Sequence, residues 1–342
     1  MTTRNADITA FLAQHGWDTA ERQTLAGDAS FRRYHRLHRD KKSSNNRALN
    51  NRAMLMDAPP PENIRPFIAV AELLHQQQLS APAILGRDET SGLLLLEDFG
   101  DDTYTRLLNQ GVAAEPLYAL AVDTLIALHQ AKIPSDAVPL YDDTRLLNEV
   151  ALLTDWYLPA ITGRATPSDI RSEWLSLWSP LFAVARQVPS GLVLRDYHVD
   201  NLMRLDGRKG IAACGLLDFQ DAVWGPVAYD LVSLLEDARR DVPPALVAAM
   251  TARYLAAFPD IDPDKFAAAY ALLGAQRNAK IVGIFTRLSR RDNKHGYLPH
   301  IARTWRLLEG DLAHPVLSSI RNFLDHHIPK ASRTIPAAPV LS

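Results

Sequence analysis

Cysteine is almost absent from this chain: its 342 residues contain one, Cys214. A single thiol excludes an internal disulfide and any zinc cluster built on cysteines. Its position in an apolar run marks it as a small buried hydrophobe rather than a nucleophile. Long hydrophobic stretches are missing too. Runs such as Leu93–Leu96 fall far short of the roughly 20 residues that a membrane-spanning helix needs. Met1–Asp18 carries polar residues throughout and has no apolar core of signal-peptide type. Net charge is small, with 37 Lys and Arg against 39 Asp and Glu, a balance of −2. Nothing in the whole-molecule charge favours nucleic acid. No internal repeat is visible. The expectation is a cytoplasmic, globular protein of one large or two ordinary domains.

Within those bounds the chain changes character near residue 100. Ile8–His15 reads as a short helix. Phe31–Leu37 alternates like a strand, and Ala53–Met56 and Leu93–Leu96 are further strand candidates. Between them, His38–Asn51 is polar and reads as an exposed loop, and Phe67–Gln77 is an amphipathic helix with Phe67, Val70, Ala71 and Leu74 on one face. After Thr103 helical patterns dominate: Leu117–His129, Thr144–Leu158, Ile170–Gln187, Val227–Ala238, Pro244–Phe258 and Asp264–Ser289. The expected division is 1–98, 99–328 and a disordered tail over 329–342, rich in Pro, Ala, Ser and Thr.

The chemistry concentrates in two segments. Asp196 and Asn201 lie in Leu194-Arg-Asp-Tyr-His-Val-Asp-Asn201, and Asp218 lies in Leu216-Leu-Asp-Phe-Gln220. The first follows the apolar run Gly191–Leu194 and the second ends the run Ile211–Leu217, with a glycine-bearing turn, Asp206–Gly210, between them. That order brings the three side chains to one edge of a small sheet. Two carboxylates and a carboxamide there suit magnesium-dependent phosphoryl transfer, with one Asp orienting and deprotonating a hydroxyl while the other Asp and the Asn hold metal. The bland alternative for Asp196 is a turn-forming or capping Asp. Asp230, in Ala228–Leu231, reads as a brace for the loop from a helix start.

These motifs resemble the aminoglycoside phosphotransferase and choline kinase-like branch of the protein-kinase fold, in which an Asp-x-His-x-x-Asn loop precedes an Ile-Asp-Phe or Ile-Asp-Trp segment. The resemblance implies an α+β, bilobal fold with a small β-rich N-lobe and a larger, mostly helical C-lobe, and ATP and Mg2+ as cofactors. It implies Asp196 as catalytic base and Asn201 and Asp218 as metal ligands, with His198 as the loop histidine. Ala26–Tyr34, Met54–Pro60, Leu194–Leu202, Gly215–Val242 and Gln276–Phe285 are similar to the anomeric sugar kinases of bacterial cell-wall recycling. Those phosphorylate the C1 hydroxyl of N-acetylmuramate and N-acetylglucosamine.

In that frame Gly27–Ser30 occupies the place of a phosphate-covering hairpin, although an ordinary hairpin turn looks the same. Glu97–Phe99 takes the place of the adenine hinge. The third-strand lysine of kinases is missing from Ala53–Asp57, so Arg52, Arg32 or Arg33 is left to meet the phosphates, and Glu62 and Glu72 are candidates for its carboxylate partner. For the sugar, Glu149, Asp155 and Trp156 lie on one helix, and Arg277 and Lys280 on another. A Trp-Tyr pair beside leucines also reads as core. The expected cofactor-binding residues are Gly27, Ser30, Arg32, Glu97 and Phe99. The expected substrate residues are His198, Glu149, Asp155, Trp156 and Arg277. The expected partner is a small amino sugar, bound by a monomer or weak dimer with no nucleic acid and no membrane. A kinase for another small hydroxylated substrate, such as an aminoglycoside, or a non-catalytic nucleotide-binding pseudokinase are the alternatives.

Overall fold

The computed structural model describes residues 3–25, 32–39 and 51–338, and its chain divides into two compact units. The first comprises Met1–Val112 and Asp200–Asp221, the second Ala113–Val199 and Ala222–Ser342. The loop expected over His38–Asn51 falls largely outside the described residues.

In the first unit, strands β1 (Glu21–Thr24), β2 (Arg33–His38), β3 (Arg52–Asp57), β4 (Ile84–Asp88) and β5 (Leu93–Glu97) form an antiparallel sheet in the order β1-β2-β3-β5-β4. Alternation along β2 buries His35 and Leu37 more deeply than Tyr34 and Arg36, which point to the other face. Helix α1 (Thr3–Gln14) covers the face of Leu37, where Ile8, Phe11, Leu12 and Trp17 pack on Leu37, Ala53, Leu55, Leu93 and Leu95. Helix α2 (Arg65–Gln76) starts with Pro66 in its first turn and buries Phe67, Ile68, Val70, Ala71 and Leu74. Two strands of this sheet have no counterpart in the sequence reading. All four residues of β1 are exposed, and β4 is interrupted by a bulge, so neither carries a clean apolar period.

The short helix α3 (Tyr104–Asn109) also lies in this unit. The helices of the second unit are α4 (Ala114–Gln130), α5 (Asp143–Leu152), α6 (Leu158–Thr162), α7 (Ser168–Trp178), α8 (Phe182–Ala185), α9 (Ala228–Leu235), α10 (Pro244–Ala256), α11 (Pro263–Asp292), α12 (Ile301–Asp311) and α13 (Ser318–His327). Among the described residues there are four further short strands: β6 (Ser190–Val193), β7 (Leu202–Arg204), β8 (Cys214–Leu216) and β9 (Val223–Pro226).

The single small sheet expected around the motifs is instead two separate ribbons, β6 with β9 and β7 with β8. Residues 210–213 form a 3-10 turn rather than strand, so only the end of the Ile211–Leu217 run is extended. The β7–β8 ribbon groups with the first unit rather than with the helical part. Leu216 N donates to Ser80 O (2.7 Å), Ser80 Oγ to Ala212 O (2.7 Å) and Arg204 N to Asp102 O (2.8 Å). These bonds, together with α3, carry the first unit past residue 98.

Helix α11 is the spine of the second unit. Its N-cap Asp262 accepts from Asp264 N and Lys265 N, Pro263 opens its first turn, and Asn293 closes it in the left-handed region. A Cβ at Gly283 would lie 2.3 Å from the carbonyl carbon of Leu152, so only glycine lets α5 approach this closely. The helix expected over Thr144–Leu158 is not uniform, because Leu153–Tyr157 is π-helical. That over Ile170–Gln187 breaks around Pro180 into α7, a 3-10 turn and α8.

Of the tail expected to be disordered over 329–342, residues 339–342 lie outside the described residues. Residues 329–338 are described, and Arg333 is anchored. Its side chain is 3% exposed and pairs with Glu309 (2.7 Å) and Asp325 (2.6 Å) across the Trp305 ring. Tyr157 Oη donates to Thr334 O (2.8 Å). An ion-paired arginine on an aromatic face fixes a segment whose composition alone reads as disordered.

Candidate active site

Asp196 belongs to the second unit and follows a strained turn. Arg195 has φ +70°, a left-handed conformation that a non-glycine residue adopts only when its surroundings impose it. The imposing group is Asp230 on α9, fully buried, which accepts from Leu194 N (2.6 Å) and Arg195 N (2.8 Å). Burial pushes its carboxyl up to about 7, although the two N–H donors pull the other way. The turn continues with Asp196 N donating to Leu194 O (2.9 Å) and His198 N to Asp196 O (3.1 Å). Tyr197 is buried and donates to Ala121 O (2.9 Å), which pins the loop to α4. His198 is buried beside Arg239, with Nε2 at 3.4 Å from Nη1, and burial and that guanidinium lower its pKa.

A buried set of charges surrounds Asp196. Glu149 on α5 receives Arg195 and Lys280 (3.1 Å) on Oε1, and Tyr141 Oη (2.5 Å) and Gln276 Nε2 (2.8 Å) on Oε2. Its side chain is 12% exposed. Burial would raise the carboxyl, but Lys280 and then Arg195 outweigh it and hold Glu149 down at about 2. Lys280 also reaches Tyr229 Oη (3.3 Å), and Tyr229 stands edge-on to Tyr141. One turn earlier on α11, Arg277 is buried and donates to Glu236 O (3.2 Å). Burial works against ionisation of Asp196, but Lys280, His198, Arg195 and Arg277 together hold its pKa below the ordinary carboxylate value. A half-buried carboxylate kept charged among cations can accept a hydrogen bond from a hydroxyl and then its proton.

In the first unit, Asn201 and Asp218 come together, with Asn201 Nδ2 at 3.4 Å from Asp218 Oδ2. Leu217 N donates to Asn201 O (2.9 Å), and Gln220 Nε2 to Asp218 Oδ1 (2.8 Å). Asp218 has φ +57°, a second non-glycine residue held left-handed. A carboxylate and a carboxamide are the hard oxygen donors Mg2+ prefers, and that ion takes few protein ligands and keeps waters and phosphates. Among the described residues no group of three or more His, Cys, Asp or Glu forms a metal cluster. The pair fits a Mg2+ shared with nucleotide.

The nucleotide candidates are also in the first unit. Gly27 and Ser30 lie outside the described residues. Arg32 pairs with Glu62 (3.1 Å), both side chains being under 20% exposed. Burial, reinforced by the Asp218 charge, lifts the Tyr34 hydroxyl to about 12, and Arg32 bonds to it and opposes that rise. Arg32, Tyr34, Glu62 and Asp218 therefore form one electrostatic neighbourhood. Arg52 instead pairs with Asp98 (2.8 Å), as does Arg36 (3.0 Å), which also binds Gly100 O (2.9 Å). Arg33 is exposed. Glu97 donates its backbone N–H to Ala83 O (2.8 Å), and its carboxylate pairs with Arg208 (2.6 Å), whose guanidinium lies over Phe99. A Cβ at Gly215 would meet the Phe99 ring at 2.9 Å, so that ring fills the space a larger residue would take. Asp155 is exposed and pairs with Arg171 on α7 (2.7 Å), and Trp156 is half-buried. Neither joins the described contacts of Glu149, Arg195 and Lys280.

A profile of the phosphotransferase enzyme family matches residues 21–268. The chain belongs to that family. A relative named N-acetylmuramate/N-acetylglucosamine kinase, from Caulobacter vibrioides, is 38% identical to this phosphotransferase, covering 96% of this chain and 98% of its own. One of the same name from Pseudomonas aeruginosa is 37% identical over 92% and 91%. An aminoglycoside 2''-phosphotransferase solved with streptomycin and ATP superposes with a TM-score of 0.55 at 14% identity, covering 93% and 99% of the two chains. At that identity it shows the fold, which is α+β and protein-kinase-like. Among the described residues, no helix of the phosphotransferase is long and apolar enough to cross a membrane.

Proposed function

We propose that this phosphotransferase is a sugar kinase that moves the γ-phosphoryl group of ATP to the C1 hydroxyl of N-acetylmuramate and N-acetylglucosamine. The single observation that carries the acceptor is the kinship over nearly the full chain with relatives bearing that substrate pair in their names. Asp196 is the base. It accepts a hydrogen bond from the C1 hydroxyl and takes its proton as the oxygen–phosphorus bond forms and the bond to the departing ADP breaks. An anomeric hydroxyl is more acidic than an ordinary alcohol, so fixing its direction matters more than raw basicity. The strained turn held by Asp230 supports that role, because it aims the carboxylate before any substrate arrives.

Asn201 and Asp218 would hold Mg2+, which supplies charge neutralisation on the β- and γ-phosphates. Arg32 is the phosphate cation in this reading and Glu62 the carboxylate that steadies it, in place of the missing strand lysine. Glu97 and Phe99 border the adenine through their backbone. Arg277 and His198 are the candidates to meet the sugar, with Asp155 and Trp156 more remote. Glu149, with four protein partners, is better suited to hold the site together than to bind sugar. Such an enzyme works in the cytoplasm on free sugars.

The test is a substrate panel with MgATP: N-acetylmuramate, N-acetylglucosamine and kanamycin, with NMR of the products. The expected products are the two sugar 1-phosphates. Phosphate on another atom, or turnover of kanamycin alone, overturns the reading of the acceptor.

A further inference from the structure

The turn that carries Asp196 is held on two sides. From α9, Asp230 takes the backbone N–H groups of Leu194 and Arg195. From the other direction the Arg195 side chain is drawn to Glu149 on α5, and Lys280 on α11 shares the same carboxylate oxygen. Lys280 is 8% exposed, and its other contact is the Tyr229 hydroxyl at 3.3 Å. Two cations, of which Lys280 is buried and Arg195 half-buried, thus share one carboxylate, so a positive charge beyond the one that pairs with Glu149 stands beside the loop. Neutralising Glu149 requires only Arg195. A lysine kept in a buried helix face at the desolvation cost of an ammonium has to answer to something further.

We propose that Lys280 is a positioning residue for Asp196: joined to Arg195 through Glu149, it fixes the left-handed turn that aims the carboxylate and keeps a positive charge beside it. This rests on the reading of Asp196 as the base. The groups acting on Asp196 are Lys280 and Arg277 from α11 and Arg195 and His198 from its own loop, while Asp230 on α9 faces it with like charge. Lys280 is the strongest of the cations. Its charge favours the ionised carboxylate that must receive the proton, and its bond to Glu149 restrains Arg195, so one side chain couples the geometry of the base to its protonation state.

The experiment measures kcat and KM against pH for the full chain and for Lys280→Met, Lys280→Gln and Lys280→Arg, with thermal unfolding of each. Lys280→Met leaves Glu149 paired with Arg195, so no buried carboxylate is stranded. Lys280→Gln retains a donor and separates charge from packing. In both neutral variants the acid limb of the kcat profile is expected to move up by about one pH unit or more, the effect of losing one nearby opposite charge. The accompanying fall in kcat at neutral pH is up to about 100-fold. Lys280→Arg restores the limb. An acid limb that stays in place in folded Lys280→Met and Lys280→Gln overturns the proposal, as does a limb that moves equally in Lys280→Arg. Asp196→Asn is run alongside. If it keeps full activity, the reading of Asp196 fails by itself, whatever the Lys280 variants show.

Discussion

Replacing Glu149 by Gln tests whether this carboxylate holds the second unit together or waits for a sugar. A carboxyl held near 2 rather than at 4.5 contributes roughly 3 kcal/mol to stability at neutral pH. Its side chain is only 12% exposed, so little of that is lost to solvent screening. Removing one member of a buried ion pair costs a comparable ~3–5 kcal/mol, because Arg195 and Lys280 are left without their shared anion. The two routes agree. The sign follows from the depressed pKa: the stabilisation is fully present above the unfolded value near 4.5 and is lost as pH falls towards 2. Urea unfolding of the wild type and Glu149→Gln is therefore expected to show a gap of about 3 kcal/mol at pH 7 that narrows steadily between pH 5 and 3. A gap under about 1 kcal/mol at pH 7, or one that does not change with pH, would refute the reasoning and return Glu149 to the list of sugar ligands.

Further outcomes follow from other parts of the molecule. Asp230 has a folded pKa raised to about 7, so its ionisation opposes folding. Stability falls as pH rises from about 4 through 7, and Asp230→Asn flattens that slope in pH-dependent thermal unfolding while lowering kcat by releasing the Arg195 turn. Gly215→Ala drives a methyl into Phe99 and costs about 1–3 kcal/mol by overpacking, with a raised KM for ATP and an unchanged KM for sugar in steady-state assays. Arg333→Ala, by removing the anchor on Glu309, Asp325 and Trp305, speeds limited proteolysis after Ile328, visible by mass spectrometry. Asn201→Ala raises the Mg2+ concentration needed for half-maximal turnover, measured by titrating metal at fixed ATP.

Much of the fold was legible because the strongly periodic segments carry their own evidence. Leu37 faces α1 as the alternation of its strand implies, the apolar runs at Ala53–Met56 and Leu93–Leu96 are strands, and α2 buries the stripe its sequence displays. The polar strand β1 and the bulged β4 gave no such signal, since their backbone pairing, not their side chains, places them. The split into two ribbons around the motifs depends on partners distant in sequence, such as Ser80 and Asp102, which local pattern does not reveal. The tail read as disordered because composition cannot show that one arginine finds two carboxylates and an indole.

Spacing marked Asp196, Asn201 and Asp218 as candidates, and of these Asn201 and Asp218 stand within 3.4 Å of one another in the first unit. Asp230 was found for a similar reason, being a carboxylate at a helix start beside the loop. Arg195 went unassigned, and Lys280 was read beside Arg277 as a residue for the sugar rather than as a partner of Glu149. Their part depends on sharing Glu149, on a helix about 130 residues from Lys280, and a charged residue within an apolar helix face was the only sign available. The sequence did place Arg277 and Lys280 on one face of one helix, and both now stand among the cations acting on Asp196.

The most direct measurement is single-turnover transfer from γ-labelled ATP to N-acetylmuramate by the wild type and by Asp196→Asn, with the product's phosphate located by NMR. The account predicts a C1 phosphate from the wild type, and loss of transfer by at least about 100-fold in the variant, with nucleotide binding retained. Undiminished transfer by Asp196→Asn would contradict it.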